Sequence, residues 1–129
     1  MTNVRIEFDE RGMLSAVRRA NAKALRRAGA YVRKTAINAV SRSNKSSLPG
    51  TPPHTRRGLL KRSILFGVDK DRQAVVIGPA RSLIGISMTA HEFGGMYRRR
   101  KYPKRPLMGP SLLKAAPQLP RLWENALKP

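Results

Sequence analysis

From Met13 to about Val40, apolar or small residues recur at Leu14, Val17, Ala24, Leu25, Ala28, Tyr31, Val32, Thr35, Ala36 and Ala39, the spacing of one helix face held over many turns. At about 100° per residue these side chains form a single stripe, while Arg19, Lys23, Arg26, Arg27, Arg33 and Lys34 gather on the opposite side. Leu14, Val17, Leu25, Ala28 and Val32 are therefore expected against a core. Neither face carries an acid. Solvated helices usually interleave Glu with Lys to gain paired contacts. A basic face without such partners predicts a surface turned toward a polyanion or a channel lumen, with a merely solvated face as the plainer alternative.

The rest of the chain supplies what such a helix needs to be covered. Val4, Ile6 and Phe8 alternate with Arg5 and Glu7 as in a short half-buried strand, and Asp9 to Gly12 read as a turn. Ser41 to Thr55 is rich in Ser, Pro and Gly, and its Leu48-Pro49-Gly50-Thr51-Pro52-Pro53 run favours extended conformation and fixed bends, either as a spacer or as a semi-rigid docking arm. After Gly58, residues 59–63 can make a short helix. Ile64–Val68 and Ala74–Ile77 are β-prone runs joined through Asp69-Lys70-Asp71-Arg72, a hairpin pattern ended by Gly78-Pro79. Thr89–Phe93 suggests a helical turn closed by Gly94-Gly95. Met96 to Arg105 reads as a basic loop in which Tyr97 and Tyr102 can lie against bases or a partner. Pro110 and Pro120 can each open a helix, to about Ala116 and Leu127. Leu119, Leu122, Trp123, Ala126 and Leu127 fall on one side of the last helix, with Trp123 as a core anchor.

The expected fold is α+β: one long N-terminal amphipathic helix on a small antiparallel sheet, with short C-terminal helices, in a single domain over 1–129. Its segments are the helix 13–40, a Pro/Gly-rich loop 41–57, a short helix, hairpin and helical turn over 58–95, a basic loop 96–109 and C-terminal helices over 110–129.

Charge narrows the partner. Lys and Arg number 27 against 7 Asp and Glu, a formal net charge of +20. A balance so far from zero repels itself, and phosphate is the commonest offset. Without cysteine, disulfides, Cys-containing zinc sites and thiol catalysis are excluded. The first ten residues lack a signal-peptide pattern, and no apolar run approaches the ~20 residues that would cross a membrane. His54 and His91 are far apart and lack metal-ligand spacing, His91 and Glu92 are adjacent and would point apart on a helix, and Gly78 to Gly85 lacks a P-loop ending. The expectation is a binding or assembly component with no catalytic residues, metal or cofactor.

Several of these features stand in a fixed order: the basic helix, Leu48-Pro49-Gly50-Thr51-Pro52-Pro53-His54-Thr55, Gly58-Leu59-Leu60-Lys61-Arg62-Ser63-Ile64, the hairpin, His91-Glu92-Phe93-Gly94-Gly95, and Arg105-Pro106-Leu107-Met108-Gly109-Pro110. That order, from about residue 13 onward, resembles the tail-component or tail-completion proteins of long-tailed bacteriophages. These carry a Pro-Gly-x-Pro-Pro loop, a Gly-x-Leu-x-x-Ser-Ile segment, a Glu-Phe-Gly and an Arg-Pro-Phe/Leu-x-x-Pro stretch. Arg57 departs from the frequent Thr before Gly58, and Gly109 stands where Arg is common.

The resemblance implies a virion neck protein, assembled in the host bacterial cytoplasm. It would form a homo-oligomeric ring, expected as a hexamer, with neighbouring neck and tail proteins as partners and the phage genome passing through its channel. Arg19, Lys23, Arg26 and Arg33, or Arg98, Arg99, Arg100, Lys101, Lys104 and Arg105, are then expected to face DNA or the lumen. Pro49, Gly50, Pro52, Pro53, Gly94, Gly95 and Pro106 are expected in loops at subunit interfaces. The alternative is a free basic nucleic-acid-binding protein of nucleoid or ribosome type.

Overall fold

The computed structural model describes residues 10–85 and 87–126; the expected strand at Val4, Ile6 and Phe8, and Leu127, lie outside them. The long helix is α1 (Glu10–Ala39), and it takes in residues 10–12, which the sequence suggested as part of a turn. Its buried side consists of Ala24, Leu25, Ala28, Val32 and Ala36, continued by Val40 just past its end. Leu14 and Val17 are not on that buried side. They are 58% and 50% exposed, and Met13 beside them is 51% exposed. Length explains the difference. A helix of 30 residues spans about 45 Å, and residues 11–19 are exposed throughout, so the apolar stripe continues beyond the elements that cover it.

Those elements are β1 (Ile64–Asp69), β2 (Ala74–Pro79) and two C-terminal helices, all packed on α1. β1 and β2 pair antiparallel from Ile64 opposite Pro79 to Asp69 opposite Ala74, leaving residues 70–73 as the turn. The hairpin lies on the helix at Gly29. A Cβ there would stand 2.5 Å from Phe66 Cδ2 and 2.9 Å from Val75 Cγ2, so the close approach needs a residue without one. Arg33 adds a hydrogen bond from Nε to the Ile64 carbonyl oxygen at 2.6 Å.

Ahead of the hairpin, α2 (Leu59–Ser63) forms as expected. Behind it come α3 (Arg81–Ile84), for which the sequence pattern gave no helix, and α4 (Ser87–Phe93), closed by Gly94 at φ 72°. The basic stretch is not a loop. It folds into a second hairpin, β3 (Gly95–Tyr97) and β4 (Arg100–Tyr102), with Tyr97 opposite Arg100 and Arg98-Arg99 as a two-residue turn. The α5 helix (Met108–Ala115), a 3-10 turn at residues 116–118 and α6 (Pro120–Ala126) end the described chain. Trp123, expected as a core anchor, is half-buried and lies outside the buried core; it ties α6 to α1 by donating from Nε1 to Asn21 Oδ1 at 2.8 Å.

The fold is thus α+β, with two small antiparallel sheets among the described residues. Ala36, Val40, Leu60, Ile64 and Leu107 make one buried cluster where the C-terminal part of α1 meets α2, β1 and the entry to α5.

Candidate functional site

The ordered motifs have a common physical basis in this structure. In Gly58-x-Leu60-x-x-Ser63-Ile64, Gly58 takes φ 81°, Leu60 is 7% exposed, and Ser63 and Ile64 are fully buried. Thr55 Oγ1 accepts from the backbone N–H groups of Gly58 and Leu60, and Ser63 Oγ donates to the Leu60 carbonyl. Glu92 then joins two motifs. Its carboxylate accepts from the N–H groups of Leu107 at 2.6 Å, Met108 at 3.1 Å and Gly109 at 2.7 Å, satisfying donors left open at the start of α5. It works as a helix cap delivered from another helix. Arg105 N donates to the His91 carbonyl, Arg105 Nε to the Ser47 carbonyl, and Gly50 N to the Lys104 carbonyl. Residues 47–50, 91–94 and 104–109 are therefore tied into one knot.

The expected interface loops divide accordingly. Pro49, Gly50 and Gly95 are exposed, Pro52, Gly94 and Pro106 are half-buried, and Pro53 is buried in its own domain.

The two basic sets also separate. Arg19, Lys23 and Arg26 line a concave surface of about 800 Å3 between α1 and the turn of the first hairpin, together with Arg18 and Lys70, which the sequence pattern did not single out. Arg33 does not join them, because it is half-buried and bonded to Ile64. The second set lies around the knot at the other end of α1, where the loop packs about Ala39. Arg26 and Ala39 alone are about 20 Å apart along the helix axis. Within this set Arg98, Arg99, Arg100, Lys101 and Lys104 are exposed, while Arg105 is half-buried. Tyr97 and Tyr102 are half-buried and spent on neighbours: their rings meet edge-on at 6.0 Å, Tyr102 meets His91 at 5.2 Å, and the Arg98 guanidinium lies 5.4 Å from the Tyr97 centroid.

The fold brings His54 and His91 to one cleft of about 330 Å3 with Arg105. His54 Nδ1 donates to the Lys45 carbonyl at 2.9 Å. His91 Nδ1 is buried without a hydrogen-bond partner, and burial, then the Arg105 cation, holds the His91 pKa below the ordinary histidine value. Among the described residues no three His, Asp or Glu side chains are placed to hold a metal, and no helix is long and apolar enough to cross a membrane.

Apolar surface remains open. Val32, Ile77, Met88, Met108, Leu112 and Trp123 line a groove of about 690 Å3, with Phe93 at 76% exposure along it. No protein-family model, curated protein or solved structure matches the chain.

Proposed function

We propose that this chain is a structural component of a tailed-phage virion: a tail-completion protein that forms a ring at the head-tail junction around the DNA channel. The observation that carries the proposal is the pairing of open apolar surface with basic surface on which five cations face a single carboxylate, Asp71. Contiguous open apolar surface is the chemistry of association sites. The stripe of Met13, Leu14 and Val17 projects from one end of α1, and the groove beside Leu112 and Trp123, which reaches Ala28 and Val32, lies about 20 Å further along the same side of the helix. If the stripe of one copy enters the groove of the next, the contact is head-to-tail, the kind that closes into a ring. From Arg11 to Val68 the chain has no Asp or Glu, so a polyanion threading the ring supplies the missing countercharge.

The family resemblance on which the virion assignment rests is supported by what its motif residues do: Gly50 and Gly58 shape the backbone, Glu92 caps α5 and Leu107 fills the core. The role proposed is architectural, with Glu92 as a cap and not a catalyst.

The test is the mass and shape of the purified protein, followed by reconstruction of the neck of virions that carry it. Ring-shaped hexamers and density at the head-tail junction are expected. A protein that stays monomeric at high concentration, and is absent from the neck, overturns the proposal in favour of a free nucleic-acid-binding protein.

A further inference from the structure

The concave surface between α1 and the first hairpin is built from two parts of the chain. Arg18, Arg19, Lys23 and Arg26 come from nine consecutive residues of α1, and Lys70 comes from the turn of the hairpin. The turn is fastened there: Asn21 Nδ2 donates to Gln73 Oε1 at 2.6 Å, and Asn21 Oδ1 accepts from Trp123. Lys70 is thereby held among the helix cations although it lies far from them in sequence. Asp71 is the one carboxylate on the surface, because Asp69 beside the turn accepts from the Arg72 N–H and pairs with the Arg72 guanidinium at 3.7 Å. Five cations thus face one acid.

We infer that this surface grips the phosphodiester backbone of nucleic acid without reading its sequence. From Arg18 to Arg26 the helix rises about 12 Å, the distance covered by three to four phosphates of one duplex strand. The neutral amide at the site is already committed, since Gln73 Nε2 donates to the Lys70 carbonyl and Gln73 Oε1 accepts from Asn21. What remains is charge on long arms, which binds phosphate and positions a duplex without discriminating bases. Arg33 is excluded, and Arg18 and Lys70 are added, so the site differs from the basic face of the helix taken alone.

This inference deepens the proposed function and rests on it only for the identity of the DNA as a packaged genome. The experiment is titration of the whole protein with a labelled, mixed-sequence DNA duplex over a range of salt concentrations, with polyglutamate as competitor. With three to five phosphates neutralised, log affinity should fall against log salt with a slope of about −3 to −4.5. Lys23→Ala with Arg26→Ala should make the slope shallower by about 2, and Lys70→Ala alone by about 1. Arg27→Ala with Lys34→Ala removes the same charge from the same helix outside the concave surface and should leave the slope unchanged. Circular dichroism confirms that each variant is folded.

Equal effects of the two double variants overturn the site, since net charge alone would then explain binding. Absence of DNA binding overturns it too, as does competition by polyglutamate equal to that of unlabelled DNA. Rings that do not bind DNA here would sink the inference and leave the ring, whereas monomers that do would sink the ring and leave the site.

Discussion

Two stretches that look alike in the sequence, both dense in Arg and Lys, are different objects in the fold. On α1, the cations Arg18, Arg19, Lys23 and Arg26 stand on a regular helix whose backbone bonds are made by the helix itself, so their charge is separable from folding. Around the second hairpin, charge and architecture are mixed. The Lys104 carbonyl receives Gly50, Arg105 ties the His91 and Ser47 segments together, and Arg98 and Arg99 occupy positive φ values of 49° and 64°. One region presents charge on a scaffold; in the other the basic residues help to make the scaffold. Substitutions should therefore dissociate cleanly in the first region and cost stability in the second.

The largest effect should come from Glu92→Ala. Three backbone donors at the start of α5 lose their acceptor, next to the fully buried Leu107. Losing a cap and leaving part-buried donors unpaired costs about 2–3 kcal/mol, enough to take away a sizeable share of a small domain's stability. Urea unfolding should show the loss, with Glu92→Gln keeping part of it through the remaining amide oxygen. Arg26→Ala, in the first region, should unfold within about 0.5 kcal/mol of the parent. A Glu92→Ala protein as stable as Arg26→Ala would erase the distinction between the regions.

How far this contrast could be read in advance depends on the range of the interactions involved. The helix over Ala24–Ala36, the short helix before Ile64 and the first hairpin follow from local periodicity and turn residues, and they form where the pattern put them. The place where α1 leaves the domain was not legible. Leu14 and Val17 have core-like spacing, and only the reach of the packed elements decides that they stay exposed. Nor was the second hairpin, because arginines at a two-residue turn are the opposite of its usual Asn-Gly signal. The concave surface needed Lys70 to meet residues some fifty positions away, through an Asn21–Gln73 bond that no spacing encodes. The capping role of Glu92 was not legible because its partners are backbone N–H groups, which have no sequence signature.

A smaller effect, of opposite sign, should follow from Arg98→Asn with Arg99→Gly. Both positions lie in the left-handed region, which costs a side-chain-bearing residue about 1 kcal/mol and which Asn-Gly adopts readily. The double variant should melt higher by an amount equivalent to about 1 kcal/mol, offset in part by loss of the Arg98 contact with Tyr97. On α1 itself no comparable gain is available, since no described residue of the helix has positive φ. If the double variant melts lower than the parent, the arginines are supporting the turn, and the second region is more rigidly built than the comparison allows.

The smallest effect is a pH dependence confined to the knot. His91 is half-buried, with the Tyr102 ring against it and Arg105 nearby, and burial followed by the Arg105 cation lowers its pKa. In the unfolded chain the imidazole takes up a proton as the pH falls below about 6.5, while in the folded chain it stays neutral to lower pH. The unfolded state therefore binds more protons in that window. The stability contributed by the neutral ring is complete above about pH 6.5 and is lost as the pH falls toward the folded-state pKa. Melting temperature should decline gently from pH 7 to pH 5, and His91→Phe, which keeps a ring against Tyr102 but cannot titrate, should flatten the decline. Amide exchange should locate it, with acid-induced opening in residues 91–109 and none in the Ala24–Val32 stretch of α1. An unchanged pH slope in His91→Phe would assign the effect elsewhere and remove pH as a way of telling the two regions apart.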